Sequence, residues 1–214
     1  MTVCELGSSE AAEAVRPRLT VLSGPSGVGK SSVATEVVRR WPEVFLSVSM
    51  TTRPPRHAER PDVHYHYVDR ATFTGMIERG EFLEYAEYAG NFYGTPAAPV
   101  FAALRGGRPA LLEIDVQGAR QVRAAMPDAL LVMLLPPSWE VLYGRLAARG
   151  TEEPALRQRR LQLAREELDT VGEFDAAVVN DDVQRAAQEL ISLMVGTGRR
   201  TPPARGPTTP PHDH

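Results

Sequence analysis

Residues 24 to 31 read Gly-Pro-Ser-Gly-Val-Gly-Lys-Ser. This is the G-x-x-x-x-G-K-[ST] spacing, in which glycines let the backbone curl until successive N–H groups point at phosphate oxygens, and a following helix N-terminus adds positive potential. At that spacing Lys30 reaches the β- and γ-phosphates of a nucleoside triphosphate and the Ser31 hydroxyl ligates Mg²⁺. The candidate cradle is Gly24, Pro25, Ser26, Gly27, Val28, Gly29, Lys30, Ser31 and Ser32. The competing reading is a glycine-rich turn capped by serine. Against it, Lys30 is the one lysine among 24 basic residues, and it falls on the motif's lysine position.

Leu111-Leu-Glu-Ile-Asp115 is an apolar run that ends in carboxylates, which suits a strand presenting Glu113 to the metal; a buried strand emerging into a polar turn reads the same way. Ser49-Met-Thr-Thr-Arg-Pro-Pro-Arg56 sets two arginines three residues apart in a proline-stiffened loop. Their planar guanidinium groups can both fork onto one phosphate. Arg145, Arg149 and Arg160 lie in a segment that reads as a helix from Trp139, a turn at Gly150 to Pro154 and a second helix, with positions 145 and 149 on one face. In-line phosphoryl transfer needs such positive groups and protection from water. His64 and His66 form H-x-H without a nearby third ligand, so no structural metal is assigned.

These residues need a scaffold, and the hydropathy pattern supplies one. Apolar runs at Leu19 to Leu22, Ala110 to Ile114, Leu130 to Leu135 and Ala176 to Val179 alternate with helical patterns at Ser31 to Trp41, Gln117 to Ala125, Trp139 to Arg149 and Val183 to Val195. Strands alternating with helices indicate an α/β fold with a parallel central sheet flanked by helices. Ser47 to Tyr93 breaks the rhythm: it is aromatic and polar, contains Pro54, Pro55 and Pro61, and has one short helical piece near Thr72 to Arg79. It reads as an inserted lobe. Residues 1–16 and the proline-rich residues 196–214 bury little and are expected to be disordered tails. A net charge of −3 gives no general attraction to nucleic acid, and the longest apolar run, Ala129 to Leu135, is too short to span a bilayer. One cysteine and no secretory signal pattern fit the cytoplasm.

Taken together, Ser49 to Arg56, His64-Tyr-His-Tyr67, Glu81-Phe-Leu-Glu84, Gly90-Asn-Phe-Tyr-Gly-Thr95 and Ile114-Asp-Val-Gln-Gly118 resemble the guanylate kinase family, in the same order and at similar spacing, over about residues 19 to 195. The resemblance implies a P-loop nucleoside-monophosphate kinase fold and transfer of the ATP γ-phosphoryl group to GMP with Mg²⁺. It implies a core of residues 17–47, 96–136 and 166–195, a small mixed α/β GMP-binding lobe at 48–95 and a helical lid at 137–165. By the same resemblance Arg53, Arg56, Tyr65 and Tyr93 hold the GMP phosphate, and Ser49, Glu84, Thr95 and Asp115 surround the guanine. Asn180 lies near the adenine, and Lys30, Arg53, Arg145, Arg149 and Arg160 act in catalysis. Guanine offers N1–H and N2–H to one carboxylate, whereas adenine has no N1–H and leaves the acceptor unpaired. Glu113 departs from the family, which often has Asp there. Two other readings stand beside this one: a protein-binding module of the guanylate-kinase-like type, which typically lacks the intact Gly29-Lys-Ser31, and a kinase for another acceptor.

Overall fold

The computed structural model describes residues 17–57, 59–147 and 154–196. The expected N-terminal tail, Arg149, most of the turn before Pro154 and all but the first residue of the expected C-terminal tail lie outside them.

Nine strands and seven α-helices are described, among them β1 (Leu19–Ser23), α1 (Lys30–Arg40), β2 (Phe45–Leu46), β3 (Met50–Thr51), β4 (His66–Tyr67), α2 (Arg70–Glu78), β5 (Phe82–Tyr88), β6 (Asn91–Pro96) and α3 (Ala97–Arg105). They continue with β7 (Ala110–Glu113), α4 (Val116–Ala125), β8 (Leu130–Leu135), α5 (Trp139–Ala147), α6 (Pro154–Asp169), β9 (Ala176–Val179) and α7 (Val183–Met194). A five-stranded parallel sheet runs β2-β7-β1-β8-β9, with helices covering it. Every residue of β1 and of β8 is buried, because a parallel strand covered on both faces can be apolar throughout. β1 is flanked by β7 and β8, and the segments leaving the carboxyl ends of β1, β7 and β9 converge at one edge, where open parallel sheets take ligands. The pairing of Leu22 with Glu113 sets that carboxylate beside the start of the phosphate loop.

A second sheet, β4-β3-β6-β5, is built from the segment that broke the βα rhythm. β5 and β6 form a hairpin whose turn residues Ala89 and Gly90 both have positive φ, as tight two-residue hairpin turns require. The pairing slips between Phe82 and Glu84, a bulge in which Leu83 and Glu84 are buried side by side instead of alternating. Gln121 of α4 closes the β5 edge, donating to Tyr85 O at 2.9 Å and accepting from Tyr85 N at 3.2 Å. Phe73 of α2 stacks on Phe82 and Phe92 with ring centroids 4.4 and 5.3 Å away, a small core separate from the main one.

Candidate active site

The phosphate loop leaves β1 and turns into α1. Gly24 has φ +145° and Gly29 φ +102°, conformations that L side chains rarely adopt. Added carbons would also collide with Leu134 O at Gly24 and with Asn180 Nδ2 at Gly29. Lys30 is folded back on this loop: Nζ donates to Gly24 O at 2.5 Å and lies 3.4 Å from Pro25 O. It is half-buried, with two loop carbonyls among the acceptors within its reach.

Two of the expected residues brace the loop from behind. Asn180, 2% exposed at the end of β9, donates Nδ2 to Val28 O at 2.7 Å. Arg145 of α5 donates Nη1 to the same oxygen at 3.0 Å and Nη2 to Asn180 O at 3.2 Å. Ser31 Oγ donates to Glu113 Oε1 at 2.6 Å, so the two expected metal ligands already touch.

Across the cleft, Arg53 makes a paired contact with Glu59, Nη1 to Oε2 at 3.0 Å and Nη2 to Oε1 at 2.9 Å. Glu59 also accepts from Arg56 N and from the Tyr67 hydroxyl, each at 2.8 Å. Hydrogen bonding from Arg53 holds the Glu59 carboxyl at about 2. Tyr65 stands edge-on to Tyr93 at 6.0 Å, with the Arg53 guanidinium 5.5 Å from its ring centroid. Burial pushes the Tyr65 hydroxyl above its ordinary value.

Glu84 is 6% exposed and accepts from the Thr95 hydroxyl at 2.6 Å. Burial pushes its carboxyl up to about 7, and the Thr95 bond opposes that rise. Gly118 is what leaves room for it, since a Cβ there would lie 2.8 Å from Glu84 Oε2. Asp115 caps α4 by accepting from Gly118 N at 2.8 Å, a structural task not foreseen for it beside its expected place at the base.

A cleft of about 940 Å³ brings the two sides together. Its walls include Ser26, Gly27, Gly29 to Ser32, Glu113, Arg145 and Asn180 from the main sheet's end, and Ser49, Arg56, Glu59 and Tyr65 from the other side. Arg160 lies half-buried on α6. Sequence reasoning missed Glu59, whose role comes from donors converging in space, and Glu167. Glu167, on α6, is pushed to about 7 by burial despite the Lys30 charge, and its Oε2 is buried without a hydrogen-bond partner. Among the described residues no helix is long and apolar enough to cross a membrane.

A sequence profile of the family described as guanylate kinase matches residues 16–196. The chain is 59% identical over 177 residues to the guanylate kinase of Thermobifida fusca strain YX, covering 83% of this chain and 90% of that one. It is 52% identical over 193 residues to the guanylate kinase of Streptomyces coelicolor, covering 90% and 98%. The crystal structure of guanylate kinase from Anaplasma phagocytophilum superposes with a TM-score of 0.70 at 31% identity, over 87% of this chain and 89% of that one.

Proposed function

The chain belongs to the guanylate kinase family, and from that premise we propose how its own residues divide the work. It is an ATP:GMP phosphotransferase, converting GMP and ATP to GDP and ADP. The observation that carries our division of labour is the cleft walled by the phosphate loop on one side and by Ser49 and the Arg56 to Tyr65 segment on the other.

On the donor side the loop N–H groups and Lys30 hold the β- and γ-phosphates, with Asn180 near the adenine. Ser31 and Glu113 are hard oxygen donors in contact with each other, which fits Mg²⁺ held by one carboxylate, water and substrate phosphates. The chemistry such an ion would supply there is neutralisation of the charge that develops on the transferring phosphates. On the acceptor side Arg53, Arg56, Tyr65 and Tyr93 hold the GMP phosphate, while Glu84, with Ser49, Thr95 and Asp115, reads the guanine edge. A GMP phosphate oxygen forms the new bond to the γ-phosphorus as the bond to the β–γ bridging oxygen breaks. No protein nucleophile is needed, because positioning and electrostatics suffice. Arg145, Arg149 and Arg160 add positive charge from a lid at residues 137–165, and residues 48–95 act as the GMP-binding lobe. The substrates and the lone cysteine support a cytoplasmic setting.

Glu84→Ala is expected to lower kcat/KM for GMP by about 100-fold or more while ATP binding holds, since a buried acceptor for two guanine donors is lost. Initial rates of ADP formation with GMP and with AMP, together with ATP titration, check this. A variant that keeps the parent's preference for GMP over AMP would remove Glu84 from base recognition.

A further inference from the structure

Glu59 is the most heavily hydrogen-bonded carboxylate on the acceptor side. It receives both outer nitrogens of Arg53, the backbone N–H of Arg56 and the Tyr67 hydroxyl. The pair is largely shielded, with the Arg53 and Glu59 side chains 13% and 15% exposed.

A guanidinium has two forks, one at its end, between Nη1 and Nη2, and one along its side, between Nε and Nη2. Glu59 fills the end fork of Arg53, and Pro54 O takes a further Nη1 proton at 2.7 Å. Along the side fork, Nε is buried and has no hydrogen-bond partner. A buried, unpaired N–H on a charged group is costly unless a ligand satisfies it. The Tyr93 hydroxyl stands against this same guanidinium.

We propose that Glu59 is a positioning residue for the acceptor phosphate: it clamps the end fork of Arg53 and so leaves the Nε and Nη2 edge, covered in the ligand-free structure, as the one that takes the phosphate of the nucleoside monophosphate. The same carboxylate ties the Arg56 backbone to β4 through Tyr67, so both arginines are aimed by one group. Glu59 stays beside the phosphate without touching it, and Arg56 supplies the surplus positive charge a dianion needs. The inference rests on the reading that Arg53 holds the GMP phosphate.

Glu59→Gln keeps the side-chain size and removes the charge and one acceptor. It is expected to raise KM for GMP about tenfold or more and to leave KM for ATP within about twofold, the split that a charge-assisted clamp on one substrate predicts. Arg53→Lys, which cannot be clamped by two parallel bonds, is expected to raise KM for GMP in the parent and to add little in the Glu59→Gln background. If Arg53→Lys raises KM for GMP but Glu59→Gln does not, the clamp is wrong and the phosphate reading survives. If Glu59→Gln lowers KM for GMP, the carboxylate occupies the phosphate position itself and the proposal is overturned. If Arg53→Lys has no effect on GMP, the phosphate reading falls first. Tyr67→Phe removes one donor to Glu59 without a change of charge and decides the matter should Glu59→Gln not fold: KM for GMP rises if the clamp operates, and an unchanged value overturns it.

Discussion

With Glu84 as the proposed reader of guanine, base recognition has to compete with a proton on its carboxyl. Burial lifts this carboxyl to about 7 in the ligand-free protein, whereas under the proposed reading the guanine N1–H and N2–H groups would bind its charged form. GMP binding should therefore release a proton at slightly acidic pH, and affinity should rise with pH up to about 7 and then level. Calorimetric titrations in buffers of different ionisation enthalpy measure this. Glu84→Gln should lose that contribution and keep only the one from the nucleotide's own phosphate. The folding linkage has the opposite sense: with its folded value above the ordinary 4.5, the folded state holds the extra proton between those limits, so stability falls as pH rises through them. The ceiling is about 3 kcal/mol for Glu84. Glu167 adds a fall of the same sign over the same range, so Glu84→Gln should flatten only part of it. The arginine loop and Glu84 could be singled out as candidates in the sequence because the chemistry proposed for them is carried by residue type and order. Glu59 was not, since nothing in Arg56-His-Ala-Glu59 says that Arg53, Arg56 and Tyr67 will all meet its carboxylate.

Legibility among the elements followed burial. β1 and β8 were readable as apolar runs because a parallel strand covered on both faces leaves no polar alternation to blur, and β9, partly covered at the sheet edge, because its four residues are all apolar. Two-residue strands such as β2, β3 and β4 carry no period to read, and α3 was hidden behind Pro96 and Pro99. The hairpin of β5 and β6 escaped because its bulge breaks the alternation at the point where Glu84 is turned inward. The second sheet has its own aromatic core, so damage there should stay local. Phe73→Ala, at a fully buried site, is expected to cost about 3–5 kcal/mol within that sheet. KM for GMP should rise while ATP binding and the protection of β1 and β8 amides from hydrogen exchange remain. Equal loss of protection in both sheets would mean that they unfold as one unit.

In the molecule as a whole, the proposed donor and acceptor groups come from the segments of two sheets, and transfer requires reacting atoms about 3–3.5 Å apart with water expelled. Binding GMP together with a non-hydrolysable ATP analogue should therefore draw the sheets together and lower the radius of gyration in solution scattering below that with either nucleotide alone. An unchanged radius would mean that the cleft is already shaped for both. The folded-back Lys30 has a further consequence for covalent labelling. As the only lysine in the chain, its ammonium is the one side-chain amine that an acylating reagent can meet, and in the ligand-free loop it is half-buried against Gly24 O and Pro25 O. Acylation of this protein, apart from its α-amino group, thus reports on a single position in the phosphate loop, and its slowing by ATP turns a general amine reagent into a gauge of nucleotide occupancy.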